Sequence, residues 1–440
     1  MPHKSSARNY FVNFSSQLSA NILSLAISLF TTPYAARMLG PSRYGEFNLA
    51  ASFAVYATLL SSFGFSLYAS REVPRLDRID SLVYVTTTLR FILGGLMAVG
   101  MFGIGYFLNI SPEFVWVAVV AGVAIFVSAL DLRWVFIAKE RLAKVSYLGL
   151  IGQGIFAILL VFVVHSGGDL VKYAIIQSFV LVVPSVLAYA LYRKEYGRIH
   201  LSLTYDKWRE LRRESIPLGM TSLTATLNVY FAGLIIGLSI STQALGYYSA
   251  GFKLMMIFNV VFNLISTVMS PTISRLFVQD RKKLISFLQI YFLVCLSFGL
   301  ASSVSIYVLS GWIVKVLFGP EYSSTIQLLK IWAAGLLPLT PLSIFFVSSL
   351  IACDGSKESA IAIGLGAVVS LTGVMLLVRS FGIVGAPVSQ IVMEFTVAVA
   401  GGILLIRRLK LSRRELAVMF NIAEAVGRVL GNIRLMLQGA

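Results

Sequence analysis

The stretch LGPSRYGEFNLA, residues 39–50, lies between two long apolar runs. A similar mixture of polar, glycine and aromatic residues, QALGYYSAGF, occurs about 200 positions later at residues 243–252. Gly45 of the first stretch falls on Gly246 of the second at an offset of 201. The matching order continues in a second pair of similar segments, SREVPRLDR at 70–78 and SRLFVQDR at 274–281. Together the two pairs indicate an internal repeat, in which each opening stretch forms the outer turn between the first two helices of its copy.

The composition is that of an integral membrane protein. Of 440 residues, 58% are hydrophobic and 12% charged, and the mean hydropathy is +0.85, well above that of soluble domains. A helix of about 20 apolar residues can cross a hydrocarbon core roughly 30 Å thick. Because strands of a membrane barrel would alternate over about 10 residues, the predicted fold class is all-α. About twelve spans are expected, near residues 14–36, 47–69, 82–107, 114–137, 147–164, 171–192, 215–238, 248–272, 285–309, 328–351, 360–379 and 383–406.

The basic residues fall on alternate connections between these spans. The formal net charge is +17, and 27 of the 36 Lys and Arg lie in the two terminal segments and every second connection. This is the positive-inside pattern of multi-pass proteins, so both termini are predicted to be cytoplasmic. Because the positive charge follows topology, no nucleic-acid partner is expected.

The repeat predicts two similar halves. Six spans, an even number, separate the two copies, so both halves enter the membrane in the same direction. We therefore expect two six-helix lobes, residues 1–200 and 201–410, related by a pseudo-two-fold axis along the membrane normal, as in transporters that place a site between two halves. Residues 411–440 alternate apolar and charged residues loosely at helical spacing and are predicted to form a cytoplasmic amphipathic tail, with disorder as the alternative.

Polar side chains recur at helical spacing inside several spans. The first span carries five of them at steps of three and four, which places them on one helix face. Such faces either bond to neighbouring helices or line water, since lipid cannot satisfy them. Stripes on the matched first helices of both lobes favour a shared cavity. The residues are Gln17, Asn21, Ser24, Ser28 and Thr31 in the first span, Thr221, Thr224 and Asn228 in the seventh, and Asn259, Asn263, Ser266 and Ser270 in the eighth.

Three ionisable residues within the spans are candidates for the transport pathway. Glu394 is about 11 residues into the last span, roughly 16 Å deep, where a charge costs about 2.5 to 3.5 kcal/mol and indicates a transport pathway or proton relay; a protonated structural glutamate is the alternative. Arg90 lies about 8 residues into the third span and requires water or an anion unless it snorkels. Lys253, near the outer start of the eighth span, has the same two interpretations.

Arg133 is interpreted differently. Trp134 and Trp116 are 18 positions apart, about 27 Å of helix, so they are predicted to mark the two membrane interfaces of the fourth span. Arg133 would then be an interfacial anchor. Asp131, two positions away, is not expected to share a helix face with Arg133.

The sequence gives no sign of metal, cofactor or nucleotide chemistry. Two cysteines and three histidines are scattered without ligand spacing, so we expect no metal site and no disulfide. No phosphate-binding GxxxxGK[ST] loop occurs, so ATP hydrolysis by this chain is not expected. A membrane glycosyltransferase or polymerase would need catalytic groups in a sizeable loop, whereas the longest predicted loop has about 22 residues. An enzyme is therefore not expected.

Several segments resemble the Wzx-type polysaccharide flippases of the multidrug/oligosaccharidyl-lipid/polysaccharide exporter superfamily. The resemblance runs through all twelve spans in order, and its first block is the most specific. It rests on LGPSRYGEFNLAASF and SSFGFSLYASREVPR within residues 39–75, VLFGPEYSST at 316–325, ACDGSKES at 352–359 and FGIVGAPVSQIV at 381–392.

The resemblance implies a function. Such proteins move an undecaprenyl-pyrophosphate-linked oligosaccharide between the leaflets of the cytoplasmic membrane by alternating access, for surface polysaccharide synthesis, and a polysaccharide polymerase is a possible partner. Coupling to H⁺ or Na⁺ would fall to Glu394. The family's cationic cavity maps first onto Arg90, then Lys253, then Arg37 at the outer mouth. Amide side chains suited to sugar hydroxyls would be Gln17, Asn21, Asn228, Asn259 and Asn263.

An ion-coupled drug or cation antiporter of the same superfamily is the alternative. Such proteins carry an acidic residue in the first helix, and none occurs here between Phe14 and Ala36. The related lipid II flippases usually have two additional helices, for which this chain has no room before its tail.

Overall fold

Every regular element in the described residues, 7–76, 79–108, 110–202 and 205–420 of a computed structural model, is helical, which confirms the predicted all-α class. Short 3₁₀ turns and one π-helical segment, Trp332–Leu336, join the α-helices. The α-helices are α1 (Ala7–Ser62), α2 (Phe65–Glu72), α3 (Asp80–Leu108), α4 (Pro112–Val127), α5 (Arg133–Ala138), α6 (Leu142–Val145), α7 (Leu148–Val163), α8 (Leu170–Tyr196), α9 (Tyr205–Ser239), α10 (Thr242–Gln279), α11 (Arg281–Leu317), α12 (Ser323–Ile331), α13 (Leu337–Ala352), α14 (Ser356–Phe381), α15 (Gly385–Leu409) and α16 (Arg413–Phe420).

These helices account for the twelve predicted spans. Eight described stretches are long and apolar enough to cross a membrane. Two of them contain two spans each: α1 is interrupted at Gly40, and α14 and α15 are separated by a turn that begins at Gly382. The bent helix α9 and the shorter apolar helix α7 supply the other two spans.

The turn within residues 39–50 is much shorter than the sequence predicted. Only Gly40, with φ 72° and ψ 165°, departs from helical geometry, and the helix resumes at Pro41. Glycine accepts this positive φ without steric cost, and proline suits the first position of a helix, so one residue suffices for the break. The echoing stretch at residues 243–252 likewise lies inside α10. The expectation of two polar outer loops was therefore wrong, although both stretches do lie at the start of a helix.

The two echoing stretches contact each other through their backbones. A Cβ atom on Gly45 would overlap the carbonyl oxygen of Thr242, and one on Gly246 would overlap that of Pro41. Pro41 and Thr242 each precede their glycine by four residues and are themselves 201 positions apart. The contact is therefore reciprocal, with each copy supplying a glycine and a carbonyl group.

Packing continues from this contact along α1 and α9. A Cβ on Gly237 would lie 2.8 Å from Leu49, and one on Gly219 would lie 2.9 Å from Phe63. The residue numbers rise along α1 as they fall along α9, so the two helices are antiparallel. Small residues permit this close approach, as is usual between membrane helices.

The described helices form two compact units, Met1–Ala250 and Gly251–Ala440. In the second unit α14 and α15 form an antiparallel hairpin, in which Gly366 faces Val397 and a Cβ on Gly373 would lie 3.2 Å from Ser389. The predicted lobe boundary at residue 200 and the amphipathic character of the tail stay predictions.

The beginning of the tail is helix α16, which is tied to α11. Arg281 donates from Nε to Glu415 at 2.8 Å and from Nη2 to the carbonyl of Leu409 at 2.9 Å. Met419 is buried. Arg281, with the backbone amide and hydroxyl of Ser412, lowers the pKa of Glu415 to about 2. The rest of the predicted tail, residues 421–440, lies outside the described residues.

We expect Gly45→Ala and Gly246→Ala each to lower the melting temperature by several degrees in detergent. The steric overlap costs about 1 to 3 kcal/mol and outweighs the roughly 1 kcal/mol that alanine normally adds to a helix. The control is Gly103→Ala in α3, where a Cβ would have no neighbour within 4 Å. Equal melting temperatures for Gly45→Ala and Gly103→Ala would contradict this contact.

The pairing of Glu415 predicts a pH dependence. Because the folded-state pKa is depressed below the ordinary value of about 4.3, the stabilisation is fully present above that pH and is lost as pH falls toward about 2. Glu415→Gln should thus lower the melting temperature slightly at pH 7 and pH 5, and the difference from wild type should shrink below pH 4. A difference that disappears already at pH 6 would show that another group is responsible.

Candidate functional site

A cavity of about 390 Å³ opens within the first unit among α1, α3, α5 and α7. Its lining includes three residues that the sequence analysis selected, Gln17, Asn21 and Arg90, together with Asp131, Arg133 and Trp134, which it did not. The cavity thus joins a polar face of the first span to charged groups of the third and fourth.

The charged side of the cavity is built on a broken helix. Helix α4 ends at Val127, a 3₁₀ turn covers Ser128–Leu130, Asp131 is extended, and α5 begins at Arg133. Such a break leaves carbonyl groups without their helical partners, and inside a membrane they must find other donors.

Arg90 supplies the donors. Its Nη1 donates to the carbonyl of Asp131 at 2.8 Å, and its Nη2 donates to the carbonyl of Ser128 at 2.7 Å. The side chain is buried, with 7% of its surface exposed. Arg90 is therefore a positioning residue that holds the break, while its buried Nε has no hydrogen-bond partner among the described residues.

Asp131 and Arg133 form an ion pair, so the expectation that they could not meet was wrong. Arg133 donates from Nε to Oδ1 at 2.9 Å and from Nη2 to Oδ2 at 2.6 Å, and its backbone amide also bonds Oδ1. The expectation assumed one continuous helix, in which residues two apart face different directions. The break removes that condition, and Asp131 instead caps the start of α5.

Arg133 is the more available of the two cations. Its side chain is 32% exposed, and its Nη1 has no hydrogen-bond partner in the described part of the chain. With Arg90 and Asp131 it gives the cavity a net charge of +1. The interpretation of Arg133 as an interfacial anchor depended on Trp134, which is only 7% exposed and packs against protein instead of facing lipid.

The polar stripe of the first span has two functions. Ser24 donates to Oε1 of Gln153 in α7 at 2.5 Å, and Nε2 of Gln153 donates back to the carbonyl of Ser24 at 3.1 Å. This is interhelical bonding. Asn21 and Gln17, one and two turns earlier, are exposed and line the cavity. Both interpretations of the stripe therefore hold, at different residues.

Arg37, another predicted binding residue of the first unit, is not among the described residues that line this cavity. Arg37 is exposed on α1, and Lys253 is half-buried on α10. Asn263 donates to the carbonyl of Asn259 at 2.8 Å and to its side-chain oxygen at 2.7 Å, so these two amides bond to each other. Asn228 is in α9, and its side chain lies outside the described residues.

Glu394 lies on α15 in the second unit. Its carboxyl group is hydrogen-bonded to the hydroxyl of Ser343, which also lies 2.9 Å from the carbonyl oxygen of Thr340. One turn earlier, Gln390 accepts a hydrogen bond from the indole of Trp332 at 2.6 Å. Glu394 and Gln390 therefore share a helix face, as predicted, and that face contacts protein.

Comparison with known proteins assigns the chain to a family. A model described as "Polysaccharide biosynthesis protein" matches residues 6–277. A protein of Escherichia coli (strain K12) named "Putative O-antigen transporter" is 23% identical over 403 residues, 86% of this chain and 94% of its own. "Capsular polysaccharide biosynthesis protein CapF" of Staphylococcus aureus is 22% identical over 398 residues, 88% of this chain and 97% of its own.

Solved structures are similar in fold. The lipid II flippase MurJ in an inward closed conformation has a TM-score of 0.71 at 14% identity, covering 92% of this chain and 90% of its own. An inward-facing multidrug resistance transporter of the MATE family, in the MOP superfamily, has a TM-score of 0.59 at 15% identity, covering 91% and 98%. The family model covers more than half of the chain and confirms the resemblance found in the sequence. The chain belongs to the polysaccharide biosynthesis protein family.

Proposed function

We propose that the protein is a flippase, not an enzyme, and that it moves a polyprenyl-pyrophosphate-linked oligosaccharide across the cytoplasmic membrane by alternating access. The observation that carries the proposal is the cavity of the first unit, which combines a net positive charge with amide side chains inside membrane-spanning helices. Both termini would be cytoplasmic, and the product would pass to the polysaccharide polymerase machinery.

The chemistry of the cavity suits such a head group. A pyrophosphate is a dense anion, and arginine can replace part of its hydration by charge-assisted hydrogen bonds that are strong where the dielectric is low. Arg133 would make these bonds through its unpartnered Nη1, while Asp131 fixes its orientation. Gln17 and Asn21 would bond sugar hydroxyls, and the apolar polyprenyl chain could remain in the bilayer.

A cation antiporter fits the same cavity less well. Two arginines against one aspartate repel a cationic drug, and α1 offers no carboxylate between Phe14 and Ala36 to attract one. The structural likeness to a multidrug transporter supports the common fold alone.

Glu394 is the proposed carrier of the coupling ion. The hydroxyl of Ser343 has a single proton and two oxygen neighbours, the carbonyl of Thr340 and the carboxyl of Glu394. If that proton goes to Thr340, a protonated Glu394 can donate to Ser343, so both bonds are made. This arrangement favours H⁺ over Na⁺ as the coupling ion.

The function itself is tested by complementation. Expression of the chain in a flippase-deficient strain supplied with defined lipid-linked glycans should restore surface polymer. Restoration of drug efflux without surface polymer would favour the antiporter.

Arg133→Gln should lower flipping of a fluorescent lipid-diphosphate oligosaccharide in proteoliposomes by 10-fold or more, with a smaller loss of melting temperature than Arg90→Gln, because the glutamine amide can still donate to Asp131. Arg133→Lys should keep part of the activity, because it retains a charge but not the planar fork. Arg90→Gln should lower both transport and stability. Loss of its hydrogen bonds leaves buried carbonyl groups unpaired, which costs about 1 to 3 kcal/mol. Wild-type transport by Arg133→Gln would remove this residue from the site.

Glu394→Gln should make transport insensitive to an imposed pH gradient, because the amide cannot exchange a proton. The control is Glu321→Gln, which alters an exposed carboxylate between α11 and α12. Transport would be followed in proteoliposomes at a series of external pH values with Na⁺ held constant. If Glu394→Gln responds to the gradient as wild type does, another group carries the ion.

A further inference from the structure

A second, smaller cavity of about 170 Å³ lies in the second unit, where α10 ends, α11 begins and α15 ends. Its lining is divided by chemistry. Five residues are apolar and three are cationic, and none of the eight is acidic: Phe277, Leu284, Ile285, Leu409 and Leu411, with Arg281, Arg408 and Lys410. Apolar walls below a cationic rim complement an amphiphile with a negative head group.

The three cations differ in how much of their bonding capacity remains. Arg408 donates from Nε to the carbonyl of Cys353, from Nη2 to that of Asp354 and from Nη1 to Glu358, so each of its nitrogens has a partner. Arg281 is held by Glu415 and by carbonyls at the end of α15 through Nε and Nη2, and within residues 205–420 its Nη1 has no partner.

Of the three cations, Lys410 has the largest remaining hydrogen-bonding capacity. Its side chain is exposed, and Nζ has no partner among the described residues. Its backbone adopts the left-handed conformation, φ 47° and ψ 51°, at the end of α15. Glycine is the usual residue at this position because other residues adopt it at a cost. A lysine at this position therefore carries a conformational cost that glycine would avoid. Its charged side chain is the feature that glycine would lack.

The cavity lies at a position in the fold that suits a lipid head group. The cavity lies at the ends of three apolar, membrane-length helices, and neighbouring exposed cations on the same elements include Arg275, Lys282, Lys283 and Arg407. By the distribution of basic residues this is the cytoplasmic side, where anionic lipids attract basic segments at about 1 kcal/mol per residue.

We propose that this cavity binds the phosphate head group of an anionic membrane phospholipid. Nη1 of Arg281 and Nζ of Lys410 bond the phosphate oxygens, and the first carbons of the lipid contact Phe277 and Ile285. Because Arg281 also holds Glu415, a bound lipid fixes the attachment of α16. The site is separate from the cavity proposed for the flipped substrate and does not depend on that function.

The test uses the full-length protein in detergent. Native mass spectrometry and melting curves would be recorded with phosphatidylglycerol, with phosphatidylcholine and with inorganic phosphate. Phosphatidylglycerol should bind at least 10-fold more tightly than phosphatidylcholine and should raise the melting temperature. If inorganic phosphate alone reproduces the whole effect, the lipid assignment is overturned in favour of a free-anion site.

Lys410→Gly is the decisive variant, because glycine keeps the left-handed backbone and removes only the charged side chain. It should fold at least as stably as wild type and lose about 10-fold in phosphatidylglycerol affinity. The matched control is Lys357→Gln, which removes an exposed cation from the start of α14 outside the cavity. Wild-type phosphatidylglycerol binding by Lys410→Gly, or an equal loss in Lys357→Gln, would overturn the specific site.

Discussion

A carbonyl group released at the end of a membrane helix has no water to bond in the lipid, and much of this structure follows from that constraint. Arg90 meets it inside the fold, and two exposed arginines make the same kind of bond at other helix ends. Arg90 bonds carbonyls at the break after α4, Arg408 those after α13, and Arg281 those after α15. Each places a cation at the negative end of a helix dipole, where it is stabilising. The ends of the spans are thereby fixed by side chains from other helices.

Each of the two cavities is lined by one of these arginines or more. At each, an arginine that holds a helix end lies beside a cation with unused donors, Arg90 beside Arg133 and Arg281 beside Lys410. The first member of each pair holds a helix end through part of its guanidinium group, and in Arg281 Nη1 remains for a ligand. The second is available because its backbone lies at an irregular point in the chain, the start of α5 or the left-handed end of α15.

Hydropathy was sufficient to predict the helical class and the twelve spans, because long apolar runs have few other solutions in lipid. The same periodicity placed Gln17 and Asn21 on one face, and the structure shows that both line the cavity that Arg90 also lines. It failed at Asp131 and Arg133, since a period of 3.6 presumes a continuous helix and the helix is broken between Val127 and Arg133. A serine and an aspartate close together in that segment, SALD at residues 128–131, were the available signal. Asn259 and Asn263 show another limit of helical periodicity. It places both side chains on one polar face but does not reveal that they bond each other.

The reciprocal contact at Gly45 and Gly246 has a further consequence. When residue i of one copy contacts j of the other and j contacts i in return, the surface is self-complementary, as in the isologous interface of a homodimer. Here both halves of that interface belong to one polypeptide. A bulky substitution in either glycine therefore cannot be compensated on its own side, because the obstructed group is the partner copy's main chain, which no side-chain exchange can shorten. Each of the two positions is therefore restricted to glycine, whatever residue occupies the other.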